Sequence, residues 1–445
     1  MSMNQAVDRR SLLKAAASAS FALGMAGFPS RPAASAGEAS MTEKTLDPET
    51  LNALQHAMEG HVKDGYIAGA VWALARGGET HVGAAGTYRL GVGGKPMARD
   101  TIFRVASITK PVTAVVAMQL VEEGVIGLDE PVDEFLPELA DRRVLRSVEG
   151  NLDDTVPAAR PITLRDLLTQ TFGLGAIMVF PEKYPIQAAM RQAGVAPGFA
   201  LPKVSSDEYM KRLGALPLAY QPGQRFLYNN GLDVTGILVE RATGKRLGEV
   251  MRERLFEPLG MKDTGFFVPP AKLDRLPAQY GTDFTAGDGR LKEYGPSDGI
   301  DFSTPPPLDS GAGGLVSTVD DFLAFYRMML NGGELHGTRI LRPETIAEMT
   351  RDQLTPEQKT ASDAAIFMME GGAGWGLGMS VAVKQTMPWL TPGRFGWDGG
   401  YGTSAYADPK KGLIGLFFSQ RLMDSPEPPR TYTDFWTHAY AAIRS

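Results

Sequence analysis

The chain is 445 residues long, enough for two domains or for one large domain with an insertion. Hydrophobic residues at 43% and charged residues at 22% are those of a globular protein with a sizeable core. A net charge of −6 without a long basic run argues against nucleic acid or an anionic membrane as partner, and the lack of cysteine excludes disulfides, thiolate metal sites and a lipoprotein anchor.

At the N-terminus, Asp8-Arg9-Arg10-Ser11-Leu12-Leu13-Lys14 sets paired arginines before a weakly apolar segment, and Ala34-Ser35-Ala36 offers a small-residue cleavage site. Residues 1–36 therefore read as a twin-arginine-type signal peptide, which places the mature protein in the periplasm or outside the cell. Their apolar run falls short of the ~20 residues a spanning helix needs, so no membrane insertion is expected. Next, Leu51, Leu54, Ala57, Met58, His61 and Val62 recur at helical spacing and predict a helix over 47–64. Residues 68–75 and 79–84 flank Arg76-Gly77-Gly78 and predict a hairpin.

Phe103-Arg104-Val105-Ala106-Ser107-Ile108-Thr109-Lys110 then opens an apolar helix that runs to Glu122 and is closed by Gly124. Ser107 and Lys110, three residues apart at a helix start, share one face and can touch. A serine hydroxyl is a weak nucleophile until a base takes its proton, and a lysine kept partly neutral by burial can be that base. The helix N-terminus adds unpaired N–H groups that favour developing negative charge. Pro111 cannot donate to the Ser107 carbonyl and crowds it, so the backbone at Ser107 is expected at the helix edge or locally distorted.

Residues 128–132 turn into a short helix up to 136, and 162–168 start a helix with Thr163 as cap. Residues 173–198 hold glycines, prolines and methionines without a period and read as a long, substrate-shaping loop. Tyr228-Asn229-Asn230 precedes helices predicted over 232–243 and 247–256. A tyrosine near a lysine ionises more easily and can serve as base or proton shuttle. Asn230 offers an amide to Lys110 or to a substrate carbonyl. Residues 269–308 look irregular. Within them, Gly295-Pro296-Ser297-Asp298-Gly299 matches G-x-S-x-G but lacks the strand before and helix after that a nucleophile elbow needs, so Ser297 reads as a surface serine.

Ser317-Thr318-Val319-Asp320 caps a helix to 330. Strands are expected over 375–383, 394–397, 404–407 and 413–419, and a last helix over 432–443 holds His438 in a structural setting. Trp397-Asp398-Gly399-Gly400 runs one strand into glycines. Gly399 and Gly400 allow a substrate close to the backbone, and the Gly400 N–H paired with that of Ser107 can stabilise an oxyanion. The five histidines are scattered, no H-E-x-x-H occurs, and neither metal nor cofactor is expected. A hairpin early, strands late and helices between imply one mixed sheet built from both ends of the chain. Terminal helices would cover one face, with an α-rich insertion alongside and a cleft at the seam.

In the order S-x-x-K, Y-x-N, W-D-G, these segments resemble the serine β-lactamase and penicillin-binding-protein superfamily, in particular its class C β-lactamase-like branch, which includes family VIII carboxylesterases. Residues 162–174, 256–261 and 311–318 are similar to further segments of that branch, so the resemblance spans nearly all of the mature chain. It implies an α/β (α+β) fold: an antiparallel sheet flanked by N- and C-terminal helices plus an α-rich inserted domain. Residues 41–445 would form the catalytic domain, with 41–122 and 311–445 as its α/β part and 123–310 as its helical part. The resemblance further implies Ser107 as the acylated nucleophile and Asn230 as the residue orienting Lys110 or the substrate. Lys110 and Tyr228 would share base and acid duty, in an order left open, and the N–H groups of Ser107 and Gly400 would form the oxyanion hole.

Where penicillin-recognising members have K-T-G, this chain has Trp397-Asp398-Gly399. An indole with an acidic neighbour replaces the lysine that would attract a carboxylate, which disfavours an anionic substrate end. These three residues are expected to meet a small neutral ester or amide, making the protein a serine carboxylesterase. Arg394 or Arg421 in place of the lost charge keeps a β-lactamase or D-Ala peptidase open, and a catalytically dead wall-binding module is the third reading. Gln170 stands where many relatives have histidine. The oligomeric state is left open.

Overall fold

The computed structural model describes residues 46–444 except 92, 288 and 426, so the signal segment expected at 1–36 lies outside the described residues. Its centre is a seven-stranded antiparallel sheet. Numbered in chain order, the strands are β1 (Gly69–Arg76), β2 (Glu79–Gly86), β3 (Ala373–Trp375), β4 (Ser380–Ala382), β5 (Phe395–Gly399), β6 (Thr403–Asp408) and β7 (Leu413–Ser419). Their order across the sheet is β3-β4-β5-β6-β7-β1-β2, so the early hairpin joins the late strands along the β1–β7 seam, where Ala70 pairs with Ser419 and Arg76 with Leu413.

Strand β1 is buried along its whole length because both faces of the sheet are covered. Side chains alternate between the faces. Val71, Ala73 and Ala75 join one core, while Trp72 and Leu74 join the other. The second core is formed with helices α1 (Pro48–Lys63) and, at the far end of the chain, α5 (Arg430–Ala441), which lay Leu54, Met58, Phe435 and Trp436 against Trp72 and Phe417. The Asp47 carboxylate caps α1 by accepting the Thr50 N–H at 2.9 Å. On the opposite face α4 (Val319–Leu330) packs against β1, β6 and β7, and α2 (Thr109–Glu122) and α3 (Asn230–Thr243), which pack on each other, extend the same core. Helices α2 and α3 are apolar on nearly every side, as fits helices enclosed by others. Each large apolar side chain so buried contributes ~1.5–3 kcal/mol. No helix among the described residues is long and apolar enough to cross a membrane.

The expected strand over 375–383 is a hairpin instead: β3 and β4 are joined at Gly378, whose φ of 83° breaks the extended run. The expected loop over 173–198 contains a helix, Pro185–Ala193, opened by proline and closed by Gly194 in the left-handed region. Ile186, Ala189, Met190 and Ala193 do recur at helical spacing, but over only nine residues, and Ile186 and Met190 are the two that are buried. The helix Ser206–Gly214 was not anticipated, although Ser205 three residues before Glu208 and the apolar Tyr209, Met210 and Leu213 mark it. Residues 269–308 contain a small hairpin, Gln279–Thr282 paired with Leu291–Tyr294. The helix expected up to 136 is a pair of turns followed by a 3-10 turn at Pro137–Leu139.

Candidate active site

Ser107 sits in a 3-10 turn, Ala106–Ile108, immediately before α2, and Ala106 is held at φ 47°. A left-handed alanine is costly, and such strain persists only where the surroundings impose it. Here the hairpin of β5 and β6 clamps the preceding residue: Thr403 Oγ1 donates to the Val105 carbonyl at 2.9 Å. A Cβ on Gly399 would lie 2.3 Å from that same carbonyl oxygen. Gly399 thus lets the protein's own backbone approach, rather than a substrate. Gly400 follows in the turn after β5, and a Cβ there would meet the Phe199 ring at 2.4 Å. Phe199 is half-exposed and stacks on Tyr401, so this loop aromatic lies over the glycine.

Lys110 is fully buried. Its Nζ lies 3.0 Å from Ser107 Oγ, 2.9 Å from Asn229 Oδ1 and 2.7 Å from the Ala312 carbonyl. Burial drives its proton affinity down, to about 7, partly opposed by the charge of Asp233. The ammonium position is 4.4 Å from the centroid of the Tyr228 ring. Tyr228 also engages the Ser107 hydroxyl, and its own oxygen accepts the Trp397 Nε1–H at 2.6 Å. Burial pushes the phenol well above its ordinary range despite these two contacts, a direction opposite to the easier ionisation expected beside a lysine. Phe367 stacks on Tyr228 with centroids 4.7 Å apart, and Trp375 meets Trp397 edge-on at 4.7 Å. The wall of the site is aromatic.

Four positions singled out in the sequence differ in place. Asn230 does not touch Lys110: it is buried, and its Nδ2 donates to the Val195 carbonyl and the Tyr209 hydroxyl, both at 2.8 Å. Consecutive residues at a helix start diverge by about 100°, so only one of two adjacent asparagines can face the lysine. Asn229 does so, at φ 93° and ψ −66°. Asp398 points to the far side of the sheet from Trp397, because strand neighbours alternate. There it accepts from Ser404 Oγ at 2.5 Å and the Tyr406 hydroxyl at 3.1 Å. Arg394 shares that far side, its guanidinium 3.7 Å from the Tyr406 ring centroid and 4.1 Å from that of Trp436. Arg421 donates to the Tyr66 carbonyl, Thr282 and Asp424. Neither arginine stands in for a substrate-binding lysine.

Ser297 is exposed in a surface turn, and His438 bonds back to the Asp434 carbonyl within α5. Among the described residues no cluster of three or more His, Asp or Glu side chains is placed to hold a metal ion. Asn229, Ala312 and Asp233 were not anticipated. A lone acid in the apolar run Leu232–Val239 was the available signal for the last of them.

Residues 54–435 match the protein family described as Beta-lactamase. Protein Rv1367c of Mycobacterium tuberculosis is 40% identical over 339 residues, 74% of this chain and 80% of its own length. Esterase EstB of Burkholderia gladioli is 29% identical over 416 residues, 88% of this chain and 97% of its own. Among solved structures, EstCE1, described as a hydrolase with promiscuous acyltransferase activity, superposes with a TM-score of 0.70 at 26% identity, over 88% of this chain and 99% of that one.

Proposed function

Since the chain belongs to the beta-lactamase family and is a serine hydrolase of that fold, we propose that it cleaves small neutral carboxylic esters through an acyl-enzyme on Ser107. The observation that carries this reading is the setting of Lys110. A neutral amine has two N–H bonds and one lone pair, and its three partners are two acceptors and one hydroxyl. The lone pair then faces the Ser107 proton, and an affinity of about 7 leaves the amine neutral in a large fraction of molecules at neutral pH.

In acylation the Ser107 proton passes to Lys110 Nζ as Oγ bonds to the ester carbon. The N–H groups of Ser107 and Gly400 receive the oxyanion. Tyr228, still a phenol and held by Trp397, gives its proton to the departing alkoxide. In deacylation the phenolate takes a proton from water, which attacks the acyl carbon, and Oγ leaves with the proton from Lys110. Every proton is thereby returned.

Preference for neutral esters follows from the aromatic wall and from the engagement of Arg394 and Arg421 elsewhere. Asp398 exerts no direct repulsion on an anionic substrate end, since its carboxylate faces away from the site. Esterase EstB supports the reading as a relative with that activity in its name. The test is parallel turnover of a short-chain p-nitrophenyl ester and a chromogenic cephalosporin, with Ser107→Ala as control. Ester cleavage well above cephalosporin turnover, both lost in the variant, is expected. Preferred cephalosporin turnover would make the chain a β-lactamase, and ester cleavage surviving Ser107→Ala would remove the mechanism.

We also place the reaction outside the cytoplasm, on the strength of Arg9-Arg10 and Ala34-Ser35-Ala36. Changing both arginines to lysine and fractionating the cells tests this: retention of the variant protein in the cytoplasm is the expected result.

A further inference from the structure

Asp233 is a carboxylate in the interior of the protein, one helical turn into α3 and flanked by the buried Leu232 and Val234. Its Oδ1 accepts the Ser310 hydroxyl at 2.6 Å and the Ala312 N–H at 3.1 Å. The carbonyl of the same Ala312 accepts from Lys110 Nζ at 2.7 Å. Ala312 is therefore gripped from both sides, by Asp233 through its N–H and by Lys110 through its C=O.

The segment around it, residues 310–315, is a strap laid between α2 and α3. Thr113 Oγ1 donates to the Gly311 carbonyl at 2.8 Å, and the Leu315 N–H donates to Thr109 Oγ1 at 3.1 Å. A Cβ on Gly311 would stand 2.4 Å from the Leu232 carbonyl, so glycine is what lets the strap lie this close to α3.

Resting on the reading of Lys110 as base, we propose that Asp233 is a positioning residue for it, fixing the Ala312 carbonyl and supplying the buried counter-charge to the ammonium formed when Ser107 is deprotonated. The groups facing Lys110 are Ser107 on its own turn, Asn229 and the Tyr228 ring from the segment before α3, the Ala312 carbonyl from the strap, and Asp233 from α3. Asp233 is the one carboxylate among them. A cation created away from water is strongly disfavoured unless an opposite charge is near. The logic is that of a carboxylate holding the imidazolium of a catalytic histidine, carried to a lysine. Burial pushes the Asp233 carboxyl up, while Ser310, the Ala312 N–H and Lys110 act to keep it ionised.

The experiment is the pH profile of ester kcat/KM for Asp233→Asn, whose amide oxygen can keep both hydrogen bonds. Loss of the negative charge lowers the proton affinity of Lys110, so the acid limb should move to lower pH. The plateau should fall by roughly 10- to 100-fold, as when groups that orient a reactive ligand are removed. A lowered plateau with an unmoved limb would make Asp233 a packing residue only, and a wild-type profile would overturn the proposal outright. Should Asp233→Asn not fold, Ser310→Ala decides. It removes a hydrogen bond that keeps Asp233 ionised, so the limb should move downward as in Asp233→Asn, and an unmoved or raised limb would overturn the proposal. Lys110→Ala separates the two readings. Surviving turnover there sinks the base assignment itself; lost turnover with an unmoved limb in Asp233→Asn sinks only the role of Asp233.

Discussion

At the scale of single residues, the site turns on which of two neighbouring asparagines meets the lysine. Asn229 adopts φ 93° and ψ −66°, a strained turn conformation outside the usual left-handed region. It reaches Lys110 from there. Asn229→Gly should relieve strain of ~1–3 kcal/mol while removing that contact. The variant is expected to melt no lower than the parent and yet to lose roughly tenfold or more in kcat. Asn230→Ala should do the reverse. It strands the Tyr209 hydroxyl and the Val195 carbonyl, at a cost of about 1–3 kcal/mol read by denaturant unfolding, with turnover per folded molecule largely kept.

The S-x-x-K contact was legible in the sequence because three-residue spacing at a helix start brings two side chains together. The choice between Asn229 and Asn230 was not legible, since it depends on a backbone angle that neighbouring strands and loops impose. Nor was the state of Tyr228, which depends on its burial. The same burial sets the pH response. Lys110 must be neutral to accept the serine proton, so kcat/KM should rise with pH through about 7. Tyr228 must stay protonated, and its raised affinity puts the opposing limb above the alkaline range in which most enzymes are assayed. A bell with a descending limb below pH ~9 would contradict the assignment of Tyr228, and an ascending limb far from pH ~7 that of Lys110.

At the scale of elements, strand β5 shows how a three-letter motif can mix two environments. Trp397 faces the catalytic cluster, whereas Asp398 and Arg394 face α5. Read as one string, Trp397-Asp398-Gly399 looked like a substrate surface; the two-residue period of a strand divides it. The indole serves Tyr228. Trp397→Phe keeps the packing but loses the 2.6 Å hydrogen bond, so proton donation to the leaving group should suffer. Turnover of an ethyl ester, whose alkoxide needs that proton, is expected to fall about tenfold or more, and that of a p-nitrophenyl ester much less. Equal losses on both would mean the indole only packs. The long apolar strands and helices were readable because their patterns are strong. The helix Pro185–Ala193 was not read because it is short and lies in a run of glycines and prolines, nor was the hairpin at Gln279–Thr282, whose buried residues Gln279, Tyr280 and Gly281 show no apolar alternation.

At the scale of the whole molecule, apolar runs at both ends of the chain were enough to indicate one sheet built from both, expected as mixed from the pattern alone; every pairing in it is antiparallel, and β1 lies between β7 and β2. What no local pattern could supply was the depth of the lysine, which depends on α2, α3 and the strap around Ala312 meeting at one point. Gly399→Ala tests how tightly the two ends are joined. Its methyl would collide with Val105 and Thr403, so a loss of about 1–3 kcal/mol in stability is expected, together with loss of activity as the hairpin is pushed off the nucleophile turn.

The β1–β7 seam has a further consequence during synthesis. Ser107, Lys110 and Tyr228 leave the ribosome long before Gly400 and Ser419 are made, and a sheet dominated by such distant pairings closes late. A nascent or prematurely terminated chain therefore carries its nucleophile and base without a finished site, and the cell meets no stray hydrolase until translation is nearly complete. Ribosome-stalled chains ending before residue 400 should leave a fluorophosphonate probe unreacted, while released full-length protein is labelled at Ser107.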